Sequence, residues 1–216
     1  PQFQRKMEDN LNLFRQMELY FSKCSSEAMV IYACDTRAFW LFAKKNVHTY
    51  KPYLAASKIL PDGRPIYWLV RLQSRCYYEQ ITGPNFMKRV LKDDLLKNKR
   101  HMFYGGSQST IDKLISKCKN EGVNVVHAES PPFMDIDNLE VNRVNLLLKK
   151  YNVDFFWCGL GAPKQEYLIY QLDKNTNTVM TGVGLAFDYY SGNVKEAPKF
   201  LSKIGMEWVF RYGQQP

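Results

Sequence analysis

The sequence predicts an α/β protein with a mostly parallel sheet and helices on both faces, and three observations lead there. Short apolar runs alternate with amphipathic stretches along nearly the whole chain, which calls for crossovers between parallel strands. Three of those runs end in glycine-bearing turns, Gly105-Gly106, Gly159-Leu160-Gly161 and Gly182-Val183-Gly184. With 216 residues, 45% hydrophobic and 24% charged, the chain has enough material for one domain with a sizeable core.

The elements follow in order. Phe3, Met7, Leu11, Phe14, Met17 and Phe21 recur at helical spacing, so an N-terminal amphipathic helix is expected over residues 4–23, packed on the body; a membrane-surface role is the sharper reading of the same pattern. Residues 28–33 read as a buried strand and 36–45 as a helix. An apolar run at 58–60 is stopped by Pro61-Asp62-Gly63, which places Asp62 at a strand end, before a helix over 66–72. After a polar connection at 77–83, Pro84 suits the first turn of a helix over 84–97. A strand at 102–104 leads into Gly105-Gly106, and Ser109 is the expected cap of a helix running to 121. Next come a strand at 123–126, a break at Pro131-Pro132, a helix over 137–151 and a strand at 154–157. The turn from Cys158 to Glu166 opens an amphipathic helix, residues 178–183 form a strand ending in a turn through Asp188, and a helix over 198–212 closes the chain.

A formal charge of +9 implies an anionic partner, whether nucleic acid, phosphorylated substrate or membrane surface. The five cysteines include no CxxC pair, which argues for reduced thiols in a cytoplasmic protein and against a zinc site. No apolar run approaches the roughly 20 residues that span a bilayer, and no signal peptide is evident. The start at Pro1 without methionine and the stop at Gln214-Gln215-Pro216 are read as those of a trimmed chain.

The stretch Cys158-Gly-Leu-Gly-Ala-Pro-Lys-Gln-Glu166 is a strand-to-helix turn whose free N–H groups and helix dipole suit an anion such as a phosphate. It is not the dinucleotide fingerprint, because Lys164 stands where the third glycine belongs, and no phosphate-binding G-x-x-x-x-G-K-[ST] loop exists. Asp62 and Asp188, at predicted strand ends, suit a general base or a ligand of sugar hydroxyls; capping their own turns is the plainer alternative. Asp135-Ile136-Asp137 has the form of a metal-binding D-x-D, but its place before a helix favours a cap and first-turn acid. His48, His101 and His127 share no metal spacing, and a G-x-S-x-G nucleophile turn is absent. Lys195, Lys199, Lys203 and Arg211 make the C-terminal segment basic, either as a solvated helix face or as a contact for diphosphate or anionic lipid.

Several stretches in register resemble the WecG/TagA/CpsF family of bacterial glycosyltransferases. They are Pro61-Asp62-Gly63, Ile81-Thr82-Gly83, Phe103-Tyr104-Gly105-Gly106, Gly159 to Glu166, Gly182-Val183-Gly184 with Phe187-Asp188, Ser191-Gly192, Ala197-Pro198-Lys199, and Met206-Glu207-Trp208 with Arg211. The resemblance implies a Rossmann-like, metal-independent inverting transferase without a cofactor. It would move a sugar from a UDP-sugar to a polyprenyl-diphosphate-linked sugar in the synthesis of cell-surface polysaccharide or a teichoic acid linker. It implies Asp62 as base and a donor pocket of Gly105, Gly106, Gly159, Gly161, Pro163, Gln165, Glu166, Gly184, Phe187 and Asp188. Asp35, Gln80, Thr82 and Arg211 are the implied acceptor or diphosphate contacts. Gln80 stands where the family often has arginine, and Ala33-Cys34-Asp35 replaces a threonine and asparagine element, so donor or acceptor preference is open. The expected setting is the cytoplasmic side of an anionic bacterial inner membrane, with a C-terminal membrane-associating appendage missing and activity weak or absent as a result. A non-catalytic nucleotide-binding or regulatory module on a degenerate transferase fold is the competing reading. No nucleic-acid partner is expected, since no recognised motif supports one, and oligomeric state is open, a homo-oligomer included.

Overall fold

Parallel strands dominate because each short apolar run is followed by a helix long enough to cross back over the sheet. The computed structural model describes residues 13–23, 25–74, 80–133, 135–136 and 139–195. The helix expected over 198–212, Arg211 and Asp137 lie outside these residues. Six strands, β1 (Met29–Cys34), β2 (Lys58–Pro61), β3 (His101–Gly105), β4 (Val125–Glu129), β5 (Phe155–Gly159) and β6 (Val179–Gly182), form one sheet in the order β2-β1-β6-β5-β3-β4. Every strand pair in it is parallel.

Side-chain alternation along the strands separates two cores. On one face, Ile31, Phe103, Phe155 and Trp157 meet α1 (Leu13–Ser22), α5 (Gly83–Lys92), α6 (Gln108–Asn120) and the short α9 (Ala186–Ser191). On the other, Tyr32, Tyr104, Phe156 and Cys158 meet α2 (Thr36–Ala43), α3 (Val47–Ala55), α4 (Arg64–Ser74), α7 (Val141–Lys150) and α8 (Lys164–Gln171). In α1, Leu13, Met17, Tyr20 and Phe21 are buried at the spacing of one helix face, and the Phe21 ring lies 5.2 Å from that of Phe155. Core packing is therefore what the described part of the N-terminal helix does.

Buried polar groups in the first core are paired. The His101 ring accepts the Trp157 indole N–H on Nδ1 at 3.0 Å and lies 3.0 Å from the Leu96 carbonyl through Nε2. Those partners call for the neutral tautomer, and burial lowers the His101 pKa to about 4. Asp154 receives the Arg100 guanidinium through both oxygens, at 2.9 and 2.8 Å, together with the Arg100 backbone N–H at 2.8 Å. This joins the chain entering β3 to the chain entering β5.

Several boundaries differ from expectation for local reasons. The helix expected over 84–97 stops at Lys92, where Asp93 turns to accept the N–H groups of Leu95 and Leu96. The cap of α6 is Ser107, whose Oγ accepts the Thr110 N–H at 3.2 Å, and Ser109 lies inside the helix. Helix α7 starts at Val141, so Asp135 is exposed ahead of it and neither caps it nor lies in its first turn. Helices α3 and α9 are additional to those expected.

Candidate functional site

The carboxyl ends of all six strands lie along one edge, and the glycine turns and carboxylates singled out above collect there. Adjacent strands β1 and β6 send their following helices, α2 and α9, to opposite faces. Such a switch in direction opens a crevice between two strand ends.

The first half of the site borders that crevice. Asp35 follows β1 and caps α2, its Oδ1 accepting the Ala38 N–H at 2.7 Å. Asp62 follows β2, and its Oδ2 accepts the N–H of Gly83 at 3.2 Å. Thr82 caps α5 through the Asn85 N–H. A Cβ on Gly83 would lie 3.4 Å from the Val183 carbonyl oxygen and 3.5 Å from the Ala33 Cβ. Helix α5 thus enters between the ends of β1 and β6, and glycine lets it do so. Gln80 is half-buried just before it.

Gln165 reaches the same crevice from the other side. Its Oε1 accepts the Gly184 N–H at 2.9 Å, and its Nε2 donates to Glu166 Oε1 at 2.9 Å. A Cβ on Gly182 would come within 2.9 Å of this side chain. Glu166 is 1% exposed, and among the described residues its Oε2 has no hydrogen-bond partner. The carboxyl therefore lies behind the crevice and acts through the amide it holds. Burial, reinforced by nearby Asp35 and opposed by the bond from Gln165, raises its pKa from 4.5 to about 7.

That shift has a measurable consequence. Between about pH 4.5 and 7 the folded chain holds a proton on Glu166 that the unfolded chain has released, so this group's contribution to stability falls as pH rises, by on the order of 3 kcal/mol. His101 has the opposite slope, because its lowered pKa costs stability as pH falls from about 6.5 to 4. Comparison with Glu166→Gln, which keeps an acceptor for Gln165, cancels the histidine. The Tm of the variant minus that of the native chain is expected to rise by about 5 °C from pH 5 to pH 8. A difference independent of pH would show that Glu166 is ionised throughout.

The second half lies around β3, β5 and α9. A Cβ on Gly159 would sit 2.6 Å from the Phe187 ring, and one on Gly105 would sit 2.6 Å from the Gly159 backbone. Phe187 is fully buried and meets Phe103 edge-on at 5.6 Å. Gly106, at φ +73, accepts the Ser130 hydroxyl on its carbonyl, and Gly161 has open space at its Cβ position. Asp188 Oδ1 accepts the Thr110 hydroxyl at 2.7 Å, and Asn193 donates to the same hydroxyl at 2.9 Å, which ties α9 to α6. Pro163 occupies the N-cap position of α8.

The structure thus joins Asp62, Thr82, Gln165 and Gly184 through Gly83 and Val183 at one crevice. Asp35 borders it, and Gly105, Gly159, Phe187 and Asp188 form the packed floor and wall beside it. Arg211 lies outside the described residues. Sequence reasoning missed Thr110 and Asn193, whose role appears only in contacts about 80 residues apart. It also missed Phe133, 92% exposed beyond Pro131-Pro132, with the Lys164 ammonium 4.0 Å from its ring centroid at the start of α8.

A wholly parallel, helix-covered sheet with glycine turns, helix N-termini and carboxylates at its carboxyl edge defines a Rossmann-like α/β protein, and in sheets of this class ligands bind at that edge. The chain matches the Glycosyl transferase WecG/TagA/CpsF family over residues 9–216, and it belongs to that family. Among curated proteins it is 30% identical over 173 residues to an N-acetylglucosaminyldiphosphoundecaprenol N-acetyl-beta-D-mannosaminyltransferase of Bacillus subtilis, covering 79% of this chain and 66% of the relative. Proteins of the same description from Bacillus spizizenii and Staphylococcus aureus are 28% and 25% identical, over 75% and 76% of this chain and 62% and 65% of their own lengths. The chain spans just under two thirds of the length of these relatives.

Proposed function

We propose that this chain carries the donor site and catalytic base of an inverting glycosyltransferase that moves a sugar from a UDP-sugar to a polyprenyl-diphosphate-linked sugar. The observation that carries the reading is the convergence of Asp62, the N-terminus of α5 and the Gln165–Gly184 bond at the β1/β6 crevice. In a single displacement the acceptor hydroxyl oxygen attacks the anomeric carbon and its proton passes to Asp62. The bond from that carbon to the diphosphate oxygen breaks, and UDP leaves with the electron pair. A carboxylate held at a strand end suits the proton transfer. The negative charge growing on the diphosphate is met by helix N-termini along the edge and by cations such as Lys164, without recourse to a metal ion. In this reading Gln165 holds the Gly184 turn against the donor, and the acceptor's lipid places the protein on the cytoplasmic surface of a membrane. No helix among the described residues is long and apolar enough to cross one.

The names of the three relatives support a lipid-diphosphate sugar as acceptor and a mannosamine-type sugar as the first donor to try. UDP-N-acetylmannosamine, its uronic acid and UDP-glucose are to be offered with a short-chain lipid-diphosphate N-acetylglucosamine. The expected result is a lipid-linked disaccharide and UDP release that requires the acceptor. UDP release at the same rate with and without acceptor, and no disaccharide from any donor, would refute the proposal.

A further inference from the structure

The segment from Thr36 to Ser74 carries seven lysines and arginines and a single acid, Asp62, which is turned to the site. Four of these cations, Arg37, Lys51, Arg64 and Arg71, lie in α2, α3 and α4, which pack on one face of the sheet, and Lys44 and Lys45 follow directly on α2. The same helices expose large apolar side chains. Trp40 on α2 is 58% exposed, and on α4 Trp68 and Leu72, one turn apart, are 51% and 81% exposed. Arg37 and Arg71 are exposed on the same two helices, and the exposed Lys44 at the C-cap of α2 has its ammonium 5.9 Å from the Trp40 ring centroid.

Indole rings beside leucine, rimmed by long cationic side chains, match the boundary between lipid headgroups and acyl chains. The rings sit at headgroup level, the leucine enters the apolar layer, and the cations meet anionic phosphates. Placement adds to this. Helix α2 begins at Asp35 and α4 just after Asp62, and a Cβ on Gly63 would lie 4.0 Å from Thr36 Oγ1, so the two helices start side by side at the crevice. Trp40 and Trp68 stand about one and a half turns along them. We infer that the outward faces of α2 and α4 form a docking surface for an anionic lipid bilayer, which sets the crevice at the membrane where the lipid of an acceptor would emerge. Choosing a bilayer as occupant rests in part on the lipid-linked acceptor proposed above. A second copy of the chain is disfavoured because it would bring two strongly basic segments together.

The test uses the whole chain and vesicles without donor or acceptor, so it stands apart from any assay of transfer. With phosphatidylcholine vesicles containing a quarter phosphatidylglycerol, the chain is expected to co-sediment, and tryptophan emission is expected to shift to the blue and be quenched by brominated acyl chains. Pure phosphatidylcholine is expected to bind about tenfold less. Trp40→Ser with Trp68→Ser, and separately Leu72→Ser at a position too exposed to threaten the fold, are each expected to weaken binding, the double variant by about tenfold. Unchanged Tm checks that both are folded. Binding without acyl-chain quenching, or binding equal in native and double-variant chains, would overturn the inference. So would a dimer that the double variant converts to monomer, or retention of single-stranded DNA that the same variant loses. Absence of sugar transfer with vesicle binding as described would fault the proposed function and leave this surface standing.

Discussion

Asp62→Asn is expected to lower transfer by about 10²- to 10⁴-fold while leaving UDP binding and Tm nearly unchanged. Asparagine keeps the shape of the side chain, and its carbonyl oxygen can still accept the Gly83 N–H that Asp62 Oδ2 accepts at 3.2 Å. Helix α5 therefore stays seated between β1 and β6. What the variant loses is a site for the acceptor's proton at the moment its oxygen attacks. Such a loss falls on kcat, because neither donor nor acceptor binding needs the proton to move. Calorimetry with UDP and rate measurements over acceptor concentration separate the two. Retained UDP binding with transfer lost distinguishes an enzyme from a nucleotide-binding module on the same fold, the competing reading of the sequence. Transfer unchanged in the variant would remove Asp62 from the chemistry and leave the glycine turns without a base.

The sheet was legible because its strands are short, mostly apolar and separated by crossover-length segments. His101–Gly105 is buried at every position, and Phe155–Cys158 likewise. Parallel pairing requires such runs, since both faces are covered. Helix α3 was not legible, because it buries Thr49, Pro52 and Tyr53, a set without an aliphatic stripe, and has a proline inside it. Helix α9, with six residues, is too short to show a period. Within the site, strand-end residues such as Asp62 could be placed from local pattern alone. The bonds that give them partners could not: Asp62 to Gly83 spans 21 residues and Gln165 to Gly184 spans 19.

Glu166 and the glycines show the same limit at the level of role. The sequence places Glu166 beside Gln165 in one motif, yet α8 turns the carboxyl into the core while Gln165 reaches Gly184. Only burial tells that one supports the other. The resemblance puts Gly105, Gly159 and Gly161 in a donor pocket, where a missing side chain would leave room for a ligand. At Gly105, Gly159 and Gly182 the space is instead taken by neighbouring backbone, the Phe187 ring and the Gln165 side chain. Gly161 differs, with open space at its Cβ position.

That contrast can be measured. Gly105→Ala is expected to cost about 4 kcal/mol, which lowers Tm by on the order of 10 °C in a chain of this size. Two effects add. At φ +123 the backbone of Gly105 lies where a side chain is rarely tolerated, and the new methyl would stand 2.6 Å from the Gly159 carbonyl carbon and 2.8 Å from its oxygen. Backbone cannot rotate away as a side chain can. The end of β5 would have to move, and it rests on Phe187. Gly161→Ala meets a positive φ of +78 but no neighbour, so about 1 kcal/mol is expected, the ordinary cost of a left-handed residue. If Gly161 borders the donor, its alanine variant should weaken UDP binding more than it lowers Tm, whereas Gly105→Ala should lower both in step with the folded fraction. Thermal melts with and without UDP read the two quantities together. Equal Tm losses at the two positions would mean that the contact between the β3 and β5 turns is looser than 2.6 Å implies, and glycine at 105 would then need a reason in ligand approach after all.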